Sequence, residues 1–337
     1  MSRPTLSVIM ANYNHGHYVA EALESVLGQS RPAEEVLVVD DGSTDDSRAV
    51  LEGLARKHPS LKVLPNDRNR GANYSYNRAL REAAGDYVRP MSADDRAAPG
   101  LFEKSMAMLE RYPQAGLSTA LVSYLDAQGR DLGPCPSPLV APEARYLSPE
   151  DSLRAYLDHG SWVQTFTAIF KRSAMLDAGG YDPEVGHSSD GLLIGALSLR
   201  YGACFIPERL AYWRKLDDSF ALKNALDPEA SRRLIDAFVE RLRRDPLFPE
   251  TYVARYKRDA LLNMIYETNR RREALPDWQG EVARFARELP DPTLGDRLFA
   301  ALMAGGLGLG GLTPKLYGFL RQPATERLRI ARRKLGL

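Results

Sequence analysis

Residues 89–95 read RPMSADD, so that two adjacent carboxylates, Asp94 and Asp95, follow a short apolar run. Carboxylates at a strand end can hold Mg2+ or Mn2+ against a phosphate, because these ions need few protein oxygens when water and phosphate fill the other positions. Ser92 stands where many such sites carry a further Asp; its hydroxyl can hydrogen-bond a ribose or a metal-bound water but adds no charge. A second acidic string, Val38 to Ser47, reads VVDDGSTDDS. There a buried strand delivers Asp40 and Asp41 to a glycine turn. Either carboxylate can accept a hydrogen bond from a nucleobase N–H or a ribose hydroxyl, and either can simply build the turn. Asp45 or Asp46 is placed to cap the next helix.

The elements that would carry these residues alternate. Leu6 to Met10 reads as a buried strand, and Val19, Ala22, Leu23, Val26 and Leu27 repeat at helical spacing. Val36 to Val39, Leu61 to Leu64 and Tyr87 to Met91 read as further strands, with helices over Ser47 to Lys57 and Asn73 to Ala84. This alternation predicts an α/β fold with a mostly parallel, Rossmann-like sheet, flanking helices and ligands at the carboxyl ends of the strands. Polar clusters fall at those ends: residues 12–17, 40–46 and 92–95. From Leu117 to Tyr212 the pattern is mixed, with strand-like runs Leu117 to Tyr124 and Thr165 to Phe170. A Pro-rich connection, Gly129 to Ser148, is long for a structureless loop and is expected to be functional or mobile. Beyond about Leu222 the chain turns helical and Arg-rich. The expected division is 1–222, in halves 1–100 and 101–222, followed by a helical C-terminal region, 223–337.

Composition narrows the classes. With 44% hydrophobic and 26% charged residues the chain reads as an ordinary globular protein, and a formal net charge of +1 gives no argument for nucleic acid as a partner. Two cysteines, Cys135 and Cys204, make neither a disulfide framework nor a zinc site and suit a reducing compartment. The N-terminus becomes polar after a few apolar residues and is expected to be a first strand rather than a signal peptide. No GxGxxG turn follows the first strand; the chain has Asn12-Tyr13-Asn14-His15-Gly16, which argues against a dinucleotide dehydrogenase.

Taken together, SVIMANYN, VAEALESVLGQS, VLVVDDGSTDDS, NRGANYSYNRAL and GDYVRPMSADD, in this order over residues 5 to about 100, resemble the family 2 glycosyltransferases of the GT-A fold. The resemblance implies an inverting, nucleotide-sugar-dependent enzyme, usually with a UDP-sugar donor and Mn2+ or Mg2+. It places Ala11 (through its backbone), Tyr13 (against the base) and Asp41 (to the base) at the nucleoside, with Asp40 beside them. Asn69, Gly71 and Asn73 flank the nucleotide; Asn73 and Asn77 read otherwise as helix-capping or surface residues. SADD takes the place of the family's D-x-D string, with Asp94 and Asp95 divided between the metal and the ribose or a supporting position, and Ser92 at the nucleotide. Downstream, AGGYDPEVGHSSD (Ala178 to Asp190) has the layout that carries the family's general base. Asp190 matches the base, with Ser189 where Glu is commoner; an N-cap role is the plainer reading. His187, neutral near pH 7, is the competing proton acceptor. Arg214 matches a cation near the donor diphosphate, although the family's usual following His is replaced by Lys215-Leu216-Asp217. Trp162 is placed to line the acceptor pocket or the core.

The resemblance does not extend over residues 223–337. RRLIDAFVERLRR and RLRIARRKLGL read as basic faces of amphipathic helices, and Leu298 to Pro314 is uncharged and glycine-rich. That segment suggests either a peripheral contact with a lipid surface or a helix buried in this chain or in a homo-oligomer. The expected partners are a nucleotide-sugar donor and a glycan or lipid-linked acceptor of cell-surface polysaccharide synthesis, with no nucleic acid. The expected location is cytoplasmic, including the inner face of the membrane. The competing readings are a nucleotide-sugar-binding pseudoenzyme or regulatory protein, which the serines at 92 and 189 suggest, and a nucleotidyltransferase.

Overall fold

Strand β1 (Leu6–Asn12) is buried along nearly its whole length, as a run of apolar residues covered on both faces must be. It leads into α1 (Gly16–Leu27), β2 (Glu35–Asp40), α2 (Ser47–Ala55), β3 (Leu61–Pro65), α3 (Ala72–Glu82) and β4 (Tyr87–Ser92). The computed structural model describes residues 3–216 and 227–305. Strands β3, β2, β1 and β4 lie side by side in that order and run parallel. The chain therefore builds to one side of β1 and returns to its other side at β4, which makes the carboxyl end of β1 a topological switch point.

The sheet continues through mixed strands. After β4 come β5 (Arg96–Ala97), α4 (Leu101–Arg111), β6 (Leu117–Leu125), β7 (Asp131–Pro134) and β8 (Arg145–Leu147). Then follow α5 (Pro149–His159), β9 (Ile169–Lys171), α6 (Arg172–Asp177), α7 (Ser189–Tyr201) and β10 (Ala203–Arg214). The described residues form a ten-stranded sheet in which β4 is followed by β9, β6, β10 and β5, with β7 on β6 and β8 on β10. Val8, Met10, Val36, Val38, Leu23, Phe102 and Met106 join in one apolar core under this sheet. Each such buried side chain contributes about 1.5–3 kcal/mol relative to exposure.

Two stretches differ from the sequence expectation. Gly129 to Ser148 is not structureless: β7 pairs antiparallel with β6 and β8 with β10. Thr165 to Phe170 starts as a 3-10 turn, Thr165–Thr167, before β9. Ala120 N–H donates to Thr167 Oγ1 at 2.8 Å, so a side chain takes the ladder position that a longer strand would fill.

The chain divides into two compact units, Met1–Leu153 with Trp162–Leu216, and Arg154–Ser161 with Asp217–Leu337. In the second, the described residues beyond 226 include α8 (Pro228–Arg243), α9 (Glu250–Arg270), α10 (Trp278–Arg287) and α11 (Leu294–Ala304). Helix α8 buries Ser231, Ile235, Phe238, Val239 and Leu242, the apolar stripe of the amphipathic pattern. Inside this unit Arg258 holds Asp296 in a paired ion bridge at 2.7 and 3.0 Å, and Asp296 also closes a capping box with Thr293. RLRIARRKLGL and residues 306–314 of the glycine-rich segment lie outside the described residues. Among the described residues no helix is long and apolar enough to cross a membrane.

Candidate functional site

The parallel register carries the polar clusters to one edge. Asn12 of β1 stands opposite Asp40 of β2, and Ala11 opposite Ser92 of β4. Asn12 Nδ2 donates to Asp40 Oδ1 at 3.0 Å and Ser43 Oγ donates to the same oxygen at 2.6 Å. Asp40 thus fixes the turn that follows β2. Gly42 sits in that turn at φ +74, and a Cβ there would meet the Arg68 backbone at 2.6 Å, so the position demands glycine. Tyr13 is 42% exposed just past β1, free to lie against a planar base.

Asp41 is buried and takes the start of α3 as its partner. Its Oδ1 accepts from Arg70 N–H (2.9 Å) and Asn66 Nδ2 (2.6 Å), and its Oδ2 accepts from Gly71 N–H (2.8 Å). A carboxylate has about four acceptor sites; one is left for a ligand. Asn69 turns its Oδ1 onto Gly71 N–H at 3.0 Å and belongs to the same turn.

At the end of β4, Asp95 is 5% exposed, and burial together with the neighbouring Asp94 pushes its carboxyl well above the usual range. Arg214 N–H donates to Asp95 Oδ1 at 3.0 Å. Arg89, in β4 itself, is also buried; desolvation lowers its guanidinium to about 10, and the charge of Asp95 partly opposes this. Its Nη2 donates to the Phe166 carbonyl at 3.0 Å, while Nε and Nη1 have no protein partner among the described residues. Asp94 is half-buried, and no described N–H or O–H donates to its carboxylate. Oxygen ligands of this kind suit a hard divalent cation, although the buried guanidinium groups of Arg89 and Arg214 already bring positive charge to Asp95. Among the described residues no group of three His, Cys, Asp or Glu could hold a metal, so a cation here would take the rest of its shell from phosphate and water.

Asp190 lies one residue inside α7, where Ser188 is the N-cap, and it does not act as the cap itself. Burial raises its carboxyl above the usual range; hydrogen bonds from Thr165 and Gly191 and the nearby His187 pull partly the other way. Thr165 Oγ1 donates to Asp190 Oδ2 at 2.9 Å and Gly191 N–H to Oδ1 at 2.7 Å. Burial lowers the His187 imidazole below its ordinary value against the charge of Asp190, keeping it neutral at pH 7. Burial raises the Tyr76 phenol well above its ordinary value, and the charges of Asp94, Asp95 and Asp190 add to that rise.

Helix α3 holds the loop that leads to Asp190. Asn77 Nδ2 donates to the Tyr181 carbonyl at 2.7 Å, and Tyr181 N–H donates back to Asn77 Oδ1 at 2.8 Å. Asn73 Nδ2 donates to the carbonyls of Gly186 (2.8 Å) and Asp182 (3.4 Å). Neither asparagine caps the helix, whose N-cap is Gly71. The Tyr76 ring stacks on Tyr181 at 5.0 Å, and its hydroxyl donates to the Met91 carbonyl at 3.0 Å.

Arg214 and Trp162 are both buried, the latter in the core position that was one of its two sequence readings. The Arg214 side chain is buried: Nε donates to the Asp94 carbonyl at 2.7 Å, Nη1 to the Asp126 carbonyl at 3.0 Å and Nη2 to Glu21 at 2.5 Å. It braces the carboxylate turn from within. Trp162 is 2% exposed and meets Phe205 edge-on in the core. The residues that sequence reasoning passed over are Tyr76, Arg89 and Thr165. The spacing of Asn73, Tyr76 and Asn77 at i, i+3 and i+4 is the signal that could have found the first.

The acidic cluster thus stands at the switch point of an α/β sheet, where such sheets bind ligands, with a buried carboxylate, Asp190, further along the chain. The glycosyl transferase family 2 model matches residues 7–144. The Mycobacterium tuberculosis protein MT1568 is 30% identical over 220 residues, covering 63% of this chain and 68% of its own. The putative teichuronic acid biosynthesis glycosyltransferase TuaG of Bacillus subtilis is 36% identical over 110 residues, 32% of this chain and 44% of its own. Beyond the first of these, the chain spans well under half the length of the curated relatives named next to it, 37% to 44%. Among solved structures, S. aureus TarS 1–349 in complex with UDP-GlcNAc has a TM-score of 0.61 at 19% identity, with 94% of this chain and 90% of that one covered. The Pyrobaculum calidifontis mannosyltransferase PcManGT in complex with GDP-Man and Mn2+ has a TM-score of 0.59 at 21% identity, covering 97% and 88%. The chain belongs to glycosyl transferase family 2, and its fold is GT-A with a helical C-terminal region.

Proposed function

We propose that the protein is an inverting glycosyltransferase that moves a sugar from a UDP-linked donor to a hydroxyl of a glycan or lipid-linked acceptor in cell-surface polysaccharide synthesis, at the cytoplasmic face of the membrane. The observation that supports this reading is the parallel register that brings Ala11, Asn12, Asp40 and Ser92 to one edge of the sheet, with Asp94 and Asp95 directly after β4. The donors bound in TarS and PcManGT, and the likeness to the putative teichuronic acid biosynthesis glycosyltransferase TuaG, support the substrate class.

In this mechanism Ala11, Tyr13 and Asp41 seat the nucleoside, with Asp40 and Ser43 holding the turn. The acceptor oxygen forms a bond to the anomeric carbon from the face opposite the diphosphate. The bond to the diphosphate oxygen breaks with its electron pair, and Asp190 takes the acceptor proton and later releases it to water. A raised carboxyl is a stronger base than an ordinary one, and Thr165 and Gly191 keep it oriented. Asp94 and Asp95 would hold Mn2+ or Mg2+, which supplies positive charge to the departing nucleoside diphosphate. Arg214 fixes the turn that presents those carboxylates.

The test is calorimetric titration of UDP with and without Mn2+, on the natural chain and on Asp95→Ala. Manganese-dependent binding lost in the variant is the expected result. UDP, GDP and dTDP all failing to bind would overturn the reading, and tight binding with neither transfer nor donor hydrolysis would leave a binding protein in its place.

A further inference from the structure

We propose that Asn73, Tyr76 and Asn77, which share one face of α3, are positioning residues that set where Asp190 stands relative to Asp94 and Asp95; the proposal rests on the reading of Asp190 as general base. The segment before Asp190 is only partly set by its own hydrogen bonds: Gly179 and Gly180 N–H donate to carbonyls of α6, and Asp182 caps a 3-10 turn over Pro183–Ser188. Gly179, Gly180 and Gly186 all have positive φ, at +86, +71 and +56, and glycine backbone is the least restrained by its own sterics. The positions between these local bonds take further support from α3, through the contacts described above.

The support acts at three points. Asn77 pairs with both main-chain groups of Tyr181, as a neighbouring strand would, and a Cβ on Gly180 would lie 2.4 Å from Asn77 Oδ1. Asn73 binds a carbonyl at each end of the turn between Asp182 and Gly186. Tyr76 joins the two sides, with its ring on Tyr181 and its hydroxyl on β4 one residue before Ser92. Residues three and four apart on a helix lie within about one 5.4 Å turn. One rigid turn therefore ties the base-bearing loop to the strand that ends in the carboxylate pair. Misplacement of a catalytic group by about 1 Å can cost about 100-fold in rate. The groups around Asp190 are His187 of its own loop, Tyr76 of α3, Tyr181 and the Thr165 hydroxyl.

The experiment compares the natural chain, Asn77→Ala and Asn73→Ala by hydrogen exchange over residues 178–190, UDP titration and kcat across pH. The expected result is faster exchange in that loop and kcat lower by about 10–100-fold in both variants, with UDP affinity within about twofold for Asn77→Ala. The acid limb of kcat should move to lower pH as water reaches Asp190. In an Asp190→Asn background, Asn77→Ala should cost no further kcat. Unchanged loop exchange, a kcat loss with an unmoved pH limb, or an undiminished loss in the Asp190→Asn background would each overturn the proposal. If Asp190→Asn alone retains natural turnover, the base reading fails, while loop exchange still reports on the clasp itself. Should Asn77→Ala not fold, Asn73→Ala and Tyr76→Phe carry the same readouts, the latter deleting only one hydroxyl.

Discussion

The two carboxylate regions are held in different ways. Asp40 and Asp41 sit at the end of a fully buried strand, with main-chain register on one side and backbone N–H groups of the α3 start on the other. Asp190 sits at the end of a glycine-bearing loop secured by asparagine side chains and one threonine hydroxyl. The first arrangement is set by the sheet itself and tolerates little change. The second rests on individual side chains, so on the proposed reading the placing of Asp190 should respond to single substitutions more than the sheet does.

The largest test of this contrast is Asp190→Asn. Loss of a general base lowers rates by about 100- to 10,000-fold, so kcat should fall by that order while UDP affinity stays, as steady-state kinetics and calorimetry would show. Next comes Asp41→Ala, which removes the acceptor of Arg70, Gly71 and Asn66 together. It should weaken UDP binding at least tenfold and lower the melting temperature, since stranded buried donors cost about 1–3 kcal/mol each. Gly180→Ala places a Cβ against Asn77 at a φ that L residues avoid, a strain of about 1–3 kcal/mol. Its expected signature is a lower kcat with little change in UDP affinity; a collapse of both would mean that the loop is part of the core. The smallest effect is that of Thr165→Val. Asp190 works only when deprotonated, and its raised carboxyl should place the acid limb of kcat above the ordinary value of 3.8. Removing the hydroxyl takes away a bond to the charged form, so that limb should rise further, with a loss of kcat of about tenfold or less at neutral pH.

Much of the first hundred residues was legible because the strands there are continuous apolar runs ended by turn-forming acids, a pattern with few other solutions. Leu61 to Leu64 and Tyr87 to Met91 lie within one residue of β3 and β4. The roles of Asn73 and Asn77 were not legible. A helical asparagine looks the same in sequence whether it faces water or a loop more than a hundred residues away. Arg214 illustrates the converse. Sequence offered its charge to a ligand, but burial and carbonyl partners consume it, and those partners come from Asp94 and Asp126, which only the fold brings near. Thr165 escaped notice because its strand-like context hid a turn.

The single acceptor site left on Asp41 bears on donor choice. One lone pair can accept one N–H, and each common base has one to give: a ring N–H on uracil, thymine and guanine, an exocyclic amino group on cytosine and adenine. A base read at a single acceptor is thus selected mainly by the shape of the space around that acceptor. Widening or narrowing the space beside Tyr13 should therefore retune the enzyme among UDP-, dTDP- and GDP-sugars without touching its acidic turn.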